Sequence, residues 1–404
     1  LTDLPIFLIL NHLTDDYTRY PSYLDDAPAR LWLITTNAED MPGFRAQDYY
    51  RVDLVPALNW PAVRAVLDSD PAAANAIRQV IAVSEYDLEL GATVREELGV
   101  KGYSAEYVRR FRDKAYSKAM AAAGGVRVPD WLSIHPAISA ESLEEHLPYP
   151  IVVKPVTGAA SSGVTVCGSR PELTATLRGL DPGQHWEAES FISAPLYHCD
   201  GYVEDGAVRF LSSSRYLGSC TAFNDGEPLG SVSVQHSPEA LILADGVART
   251  VRALGLENGV FHLEAFIDQG EFIFLEIGHR PGGGEILPLL HRHTGVDLMS
   301  AAVRLSCELS ALPDGNSPRI PDGSYGWLMC SAVGQSGRLV RSITASGELP
   351  PGVRIAHVAY PGQRVPADPE YDFTGLSAHI HADSVAAAEA AIARLAQLVV
   401  IEYD

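Results

Sequence analysis

The stretch Val260-Phe-His-Leu-Glu264-Ala-Phe-Ile-Asp268-Gln-Gly270-Glu271-Phe-Ile-Phe-Leu-Glu276-Ile constrains this chain more than any other. Two β-rich runs around a three-residue loop ending in Gly read as an antiparallel hairpin with a bulge. Pairing Ile267 with Glu271 sets Glu264 opposite Phe274 and makes Glu276 the diagonal neighbour of Glu264 on one sheet face. Diagonal partners lie roughly 7–8 Å apart at Cα. Two carboxylates that close repel unless a cation lies between them. A pair of exposed strand acids is the plain alternative. Both acids lie in otherwise apolar strands, where an unpaired charge is costly, so a hard cation such as Mg²⁺, with Mn²⁺ as a substitute, is expected on Glu264 and Glu276. Arg280-Pro-Gly-Gly-Gly284 follows at once, and an arginine beside a metal site binds phosphate or carboxylate bidentately. His262, His279, His291 and His293 lack an HExxH or Cys/His spacing, so oxygen-type ligation is favoured over zinc.

Positive charge is scarce elsewhere. Thirty Lys and Arg against 51 Asp and Glu leave a net charge of −21. Such a chain is repelled by nucleic acid and by anionic membranes, so any anionic ligand is held by a few placed cations. The densest basic stretch is Arg109-Arg-Phe-Arg112-Asp-Lys114-Ala-Tyr-Ser-Lys118, either a solvated helix face or a phosphate site, in a helix ended by Gly124-Gly125. Pro150-Ile-Val-Val-Lys154-Pro155 reads as a strand, Gly158-Ala-Ala-Ser-Ser-Gly163 as a loop, and Val164–Cys167 as a second strand. Ser169 to Glu172 then has capping-box spacing before a helix. The loop fits G-x-x-x-x-G, but Val164-Thr165 replaces Lys-Ser/Thr and no helix begins there, which excludes a Walker A loop. A small-residue hairpin loop can still close over phosphates through its N–H groups and serine hydroxyls.

At roughly 150 residues per domain, 404 residues suggest two to three domains. Apolar strands at Ile6–Leu10, Leu31–Ile34 and Ile77–Val83 alternate with helical stretches Trp60–Leu67 and Asp87–Leu98, as in a parallel α/β sheet. Glu85 follows the third strand at its carboxyl end, where such sheets place ligand contacts. The plain alternative is an acid at a helix start. Residues 312–326 read as a Pro/Gly linker, followed by a small α+β domain with an Ala-rich helix over Ser384–Val399. Five scattered cysteines without a CxxC pair suggest reduced thiols and a cytoplasmic protein. No apolar run nears the ~20 residues of a membrane span, and the Leu1–Leu10 start lacks a basic n-region.

In their order along the chain, these motifs resemble the ATP-grasp superfamily from about Arg112 to Leu309. Asp113-Lys114 and Val153-Lys154-Pro155 resemble its two phosphate lysines, and Gly158, Ser161, Ser162 and Gly163 its phosphate loop. Glu187-Ala-Glu189-Ser-Phe191-Ile192 is similar to the hinge that holds adenine. Glu264, Glu276 and Arg280 resemble the two metal acids and the arginine that steadies the transferred phosphate. Within the superfamily the chain looks most like the L-amino-acid ligases. The resemblance implies an α/β ATP-grasp fold: a Rossmann-like N-terminal domain over 1–112, an ATP-grasp domain over 113–313 with a lid at about 150–213, and a small C-terminal domain over 314–404. It implies ATP and Mg²⁺ as cofactors, small-molecule carboxylate and amine substrates, and a homodimer. Arg215 lies where relatives place a lysine near the reacting carboxylate. Glu85, Gly282 and Gly283 would wall the substrate pocket. Two departures stand out. Gly278 occupies the Asn place of E-x-N-x-R, so the amide ligand of a second metal is missing. The ribose-binding acid falls at Leu196, leaving Asp200 as a shifted substitute. A kinase-like phosphotransferase, a bicarbonate-using carboxylase and a catalytically dead nucleotide-binding module are the alternative activities.

Overall fold

A computed structural model describes residues 4–13, 18–39, 41, 43–313, 316–366 and 373–404. Residues 1–3 of the N-terminal apolar run and residues 314 and 315 of the 312–326 linker lie outside them. The first layer is a parallel four-stranded sheet with Ile6–Asn11 between Arg30–Thr35 and Ile77–Ile81, and Arg51–Leu54 at one edge. Its two central strands, Ile6–Asn11 and Arg30–Thr35, are almost continuously apolar, as suits a parallel sheet covered by helices on both faces. One face packs Leu8, Trp32 and Val80 against Val63, Leu67 and Val94 of the helices Trp60–Ser69 and Leu88–Leu98. The other packs Phe7, Ile9 and Ile81 against Leu289 and Val303 of Ile286–Thr294 and Leu298–Ser306. This second contact ties the N-terminal sheet to the segment just after Arg280.

The basic stretch is not one helix. Asp113 has an extended backbone and its Oδ1 accepts from the Tyr116 N–H at 2.9 Å, which ends Ala105–Arg112 and starts Lys114–Ala123. Lys114 is thereby fixed in a first helical turn. The expected capping box at Ser169 does not form. Its hydroxyl makes no cap hydrogen bond, while Glu172 reaches back to the Gly168 N–H at 2.7 Å.

The lid is a four-stranded antiparallel sheet in the order Trp131–Ile134, Trp186–Ser190, Ile151–Pro155, Thr165–Cys167. It has its own small core around Leu143, Ile151, Val153 and Leu173. The expected lid limit at 213 is too far along. Leu196–Glu204 and Ala207–Leu217 belong instead to an eight-stranded sheet that begins with the hairpin Gly259–Asp268/Glu271–Gly278. That sheet also runs across the expected boundary at 313/314. Ser324–Ser331 pairs antiparallel with Leu229–Ser233 and then with Thr374–Ala382, so the C-terminal strands extend the central sheet. Helix Val385–Leu398 packs on them through Ala388, Ile392 and Leu395. No helix among the described residues is long and apolar enough to cross a membrane.

The hairpin differs from its expected register in an informative way. Asp268 pairs with Glu271, and the turn is only Gln269-Gly270, with φ of 51° and 83°. Positive φ at both central residues is the type I′ signature, which matches the twist of the strands. A bulge then shifts the ladder between Glu264 and Ala265, so that Glu264 is paired directly with Glu276 rather than diagonally.

Candidate active site

A cavity of about 360 Å³ lies between the lid and the central sheet. Apolar Val152, Val166, Leu196, Phe266 and Leu275 line it, with Phe191 and Ile192 at the crossing from lid to sheet. Ser161 and Ser162 project from the loop that caps it. That loop turns through positive φ at Gly158, Ala160, Ser161 and Gly163. Gly163 does not line the cavity; its φ of 73° turns the chain back beside Pro155. A second, polar recess shares Lys114, Gly158 and Glu276 with the cavity and is otherwise walled by Glu85, His262 and Arg280.

Five of the predicted charges meet at this junction. Lys114 Nζ donates to the Gly158 carbonyl at 2.8 Å and lies 3.4 Å from Glu276 Oε2. Burial works to raise the Glu276 pKa, but Lys114 and Lys154 hold it below the ordinary carboxylate range. Glu264 faces Glu276 across the ladder and accepts from the Tyr216 hydroxyl at 3.0 Å. Arg280 Nε donates to Glu85 Oε2 at 2.5 Å, and Arg112 takes the other oxygen of the same carboxylate. Glu85 is therefore not a solvated helix-start acid. Burial would raise its pKa, but Arg280 and Arg112 together hold it low. A Cβ added at Gly278 would lie 3.2 Å from Glu85 Oε2 and 3.2 Å from Arg280 Cγ, so the Glu85–Arg280 pair fills the place next to this glycine.

Lys154 is buried at the lid end of the cavity, 2.6 Å from Glu189 Oε1. Burial opposes its charge, yet Glu189 and Glu187 raise its pKa above the ordinary lysine value. The other Glu189 oxygen is 2.6 Å from Lys118 Nζ, which is also 2.6 Å from Glu187 Oε1. Lys118 is fully buried. The single helical turn from Lys114 to Lys118 thus supplies one cation to the cavity and one to the hinge acids.

Residues 147–288 match the family model of the ATP-grasp domain. The chain carries an ATP-grasp domain. Over 238 residues it is 26% identical to the L-arginine-specific L-amino acid ligase of Bacillus subtilis, covering 56% of this chain and 57% of that protein. Over 216 residues it is 23% identical to a D-alanine–D-alanine ligase of a Marinomonas species, covering 48% of this chain and 64% of that protein. The chain spans about half the length of the curated relatives it matches. The crystal structure of an L-amino acid ligase from Bacillus licheniformis shares the fold across 99% of both chains, with a TM-score of 0.73 at 20% identity.

Three candidate site residues sit elsewhere than expected. Arg215 is the clearest. Along Ala207–Leu217 the neighbours Ser214 and Tyr216 pair toward the acids, and alternation sends Arg215 to the opposite face. There it forms an ion pair with Glu389 of the C-terminal helix. Glu187 does not line the cavity; its carboxylate is fully buried against Lys118, and desolvation raises its pKa. Asp200 cannot serve a ribose, because it is buried beneath Glu264 between two histidines. Gly282 passes over that acid. A Cβ there would lie 2.5 Å from Asp200 Oδ1, whereas one at Gly283 would meet nothing within 4 Å.

The sequence reading missed Lys118, Arg112 and Tyr216 as parts of the site, and His198 altogether. Lys118 sat in a stretch whose basic residues look alike by composition. The period-2 alternation of His198-Cys-Asp200 and His262-Leu-Glu264 was the available signal, since it puts each pair on one sheet face. Of the other histidines, His279 packs edge-on to Tyr103 at 4.6 Å between ring centroids and lies among Tyr107 and Phe111, as a core residue.

Proposed function

We propose that this chain is an ATP-dependent carboxylate–amine ligase that activates an amino-acid carboxylate and joins it to an amine, releasing ADP and phosphate. The carrying observation is the direct pairing of Glu264 with Glu276 where the large cavity meets the polar recess, with Lys114 and Arg280 on either side. Two facing carboxylates plus phosphate oxygens form an all-oxygen donor set that fits Mg²⁺ or Mn²⁺. When bound, such an ion neutralises phosphate charge and aligns the β- and γ-phosphates.

The nucleotide base fits the apolar walls beside Phe191 and Ile192, and the triphosphate runs toward Lys154, Lys114 and the Gly158–Gly163 loop. A substrate carboxylate oxygen attacks the γ-phosphorus, the bond to ADP breaks, and an acyl phosphate forms in the polar recess. The amine nitrogen then attacks the acyl carbon, loses a proton, and inorganic phosphate leaves. Phosphoryl transfer of this kind needs positioning and charge neutralisation more than a covalent nucleophile. Arg280 supplies charge to the transferred group and is held in place by Glu85. Gly282 and Gly283, expected to wall the substrate pocket, line neither the recess nor the cavity; the recess is bounded there by Gly278. The loop and lid exclude water that would hydrolyse the acyl phosphate.

The test is ADP formation from paired amino acids, with the product identified by mass spectrometry. Amine-dependent ADP release with an amide product supports the reading. A phosphorylated end product, or bicarbonate-dependent ADP release, would replace it with one of the rival activities.

A further inference from the structure

Beneath Glu264 runs a buried chain of polar side chains that the reaction itself does not use. Ser231 Oγ lies 2.7 Å from His198 Nε2, and His198 Nδ1 lies 2.6 Å from Asp200 Oδ2. The other oxygen, Asp200 Oδ1, is 2.8 Å from His262 Nδ1. His262 Nε2 then points at Glu264 Oε1, 3.6 Å away. Ser231, His198 and Asp200 are at most 2% exposed. These residues come from three strands of the central sheet and share the face that carries Glu264.

His198, Asp200 and His262 have the composition of a metal site. Their hydrogen bonding assigns them another role. A carboxylate only accepts, so each imidazole must present an Nδ1–H to it. Each Asp200 oxygen is then taken by one ring, and neither Nδ1 has a lone pair left for a cation. That arrangement fixes both ring orientations and aims His262 Nε2 at Glu264. Gly282, immediately after Arg280-Pro281, closes over the same carboxylate, so one buried group underlies both the acid and the arginine loop.

We infer that Asp200 is a positioning residue: it locks His262 and, through it, sets the orientation of Glu264 for the divalent cation. This rests on the assignment of Glu264 and Glu276 as the cation ligands. Groups that orient metal ligands typically control affinity by 10- to 100-fold.

The test uses the purified full chain, with Mn²⁺ as probe in the presence of ADP and the bound fraction read by electron paramagnetic resonance. Asp200→Asn keeps the shape but places an amide N–H against a ring N–H; Mn²⁺ affinity is expected to fall about 10- to 100-fold. ADP affinity measured in EDTA stays within about twofold, since no phosphate or base contact is altered. Ser231→Ala removes the far end of the chain of contacts with little change to packing, and a loss of about threefold is expected. A lower melting temperature with unchanged Mn²⁺ affinity in Asp200→Asn would overturn the inference. If Asp200→Asn does not fold, Ser231→Ala decides: weakened Mn²⁺ binding supports the relay and unchanged binding overturns it. Failure of the unaltered chain to bind Mn²⁺ at all would instead strike the assignment of Glu264 and Glu276.

Discussion

Glu264 and Glu276 stand directly opposite each other across the hairpin, brought into register by a bulge next to Glu264. A plain ladder from the same turn would pair Glu264 with Leu275 and send Glu276 to the opposite face of the sheet. The bulge therefore converts two ordinary strand positions into a facing carboxylate pair at the mouth of the polar recess.

Glu276→Gln removes one of those carboxylates and keeps its volume. Turnover should fall by a factor on the order of 10²–10³, equivalent to several kcal/mol of charge stabilisation. Circular dichroism should show the fold intact. Full activity in this variant would remove the cation role from the hairpin.

Arg280 and Arg215 separate by face. Arg280→Ala should lower kcat by about 10²–10³-fold, as loss of one charge-stabilising donor does. Arg215→Ala should leave kcat within about threefold of the unaltered enzyme, because its partner is Glu389 on the far side of the sheet. Steady-state kinetics on both variants checks the pair. A large kcat loss in Arg215→Ala would show that the sheet face has been misjudged.

Lys118 is a structural cation. Lys118→Met leaves Glu187 and Glu189 short of a partner in a buried place, and breaking such a pair costs about 3–5 kcal/mol. Urea denaturation should show that loss, and Lys118→Arg should recover part of it. The KM for ATP should also rise, since Glu189 links Lys118 to Lys154.

His279 gives the chain a predicted acid sensitivity. Burial among aromatic rings pushes its pKa down to about 4. The folded state therefore prefers the neutral ring, while the unfolded chain binds a proton near the ordinary value of about 6.5. Its contribution is fully present above about pH 6.5 and is lost as pH falls toward 4. Thermal melts across that window should show this decline. The slope should be shallower in His279→Phe, which keeps a ring there without a titrating group.

Much of the site was legible because its signals are local. Lys154 at a strand end, the Gly158–Gly163 loop and the apolar runs around Glu264 and Glu276 are written in neighbouring residues. What was misread depended on partners far along the chain. The three-residue loop expected at Asp268-Gln-Gly270 became a two-residue turn because Gln269 accepts positive φ, and that choice moved the register. Arg215 was placed by analogy, whereas strand alternation set its side chain on the other face.

The sequence by itself determined the elements: parallel-type strands near the start, a lid hairpin with its lysine, an acid-bearing hairpin and an Ala-rich final helix. Period, turn chemistry and capping residues act within a few positions, so they can be read without knowing what packs against them. Only the tertiary structure decided that the C-terminal strands extend the central sheet, that Lys118 is buried between Glu187 and Glu189, and that Asp200 lies between two histidines under Glu264. Those outcomes depend on which distant strand supplies the neighbour. A buried charge also has no local signature, because its cost and its compensation both come from groups brought close by folding.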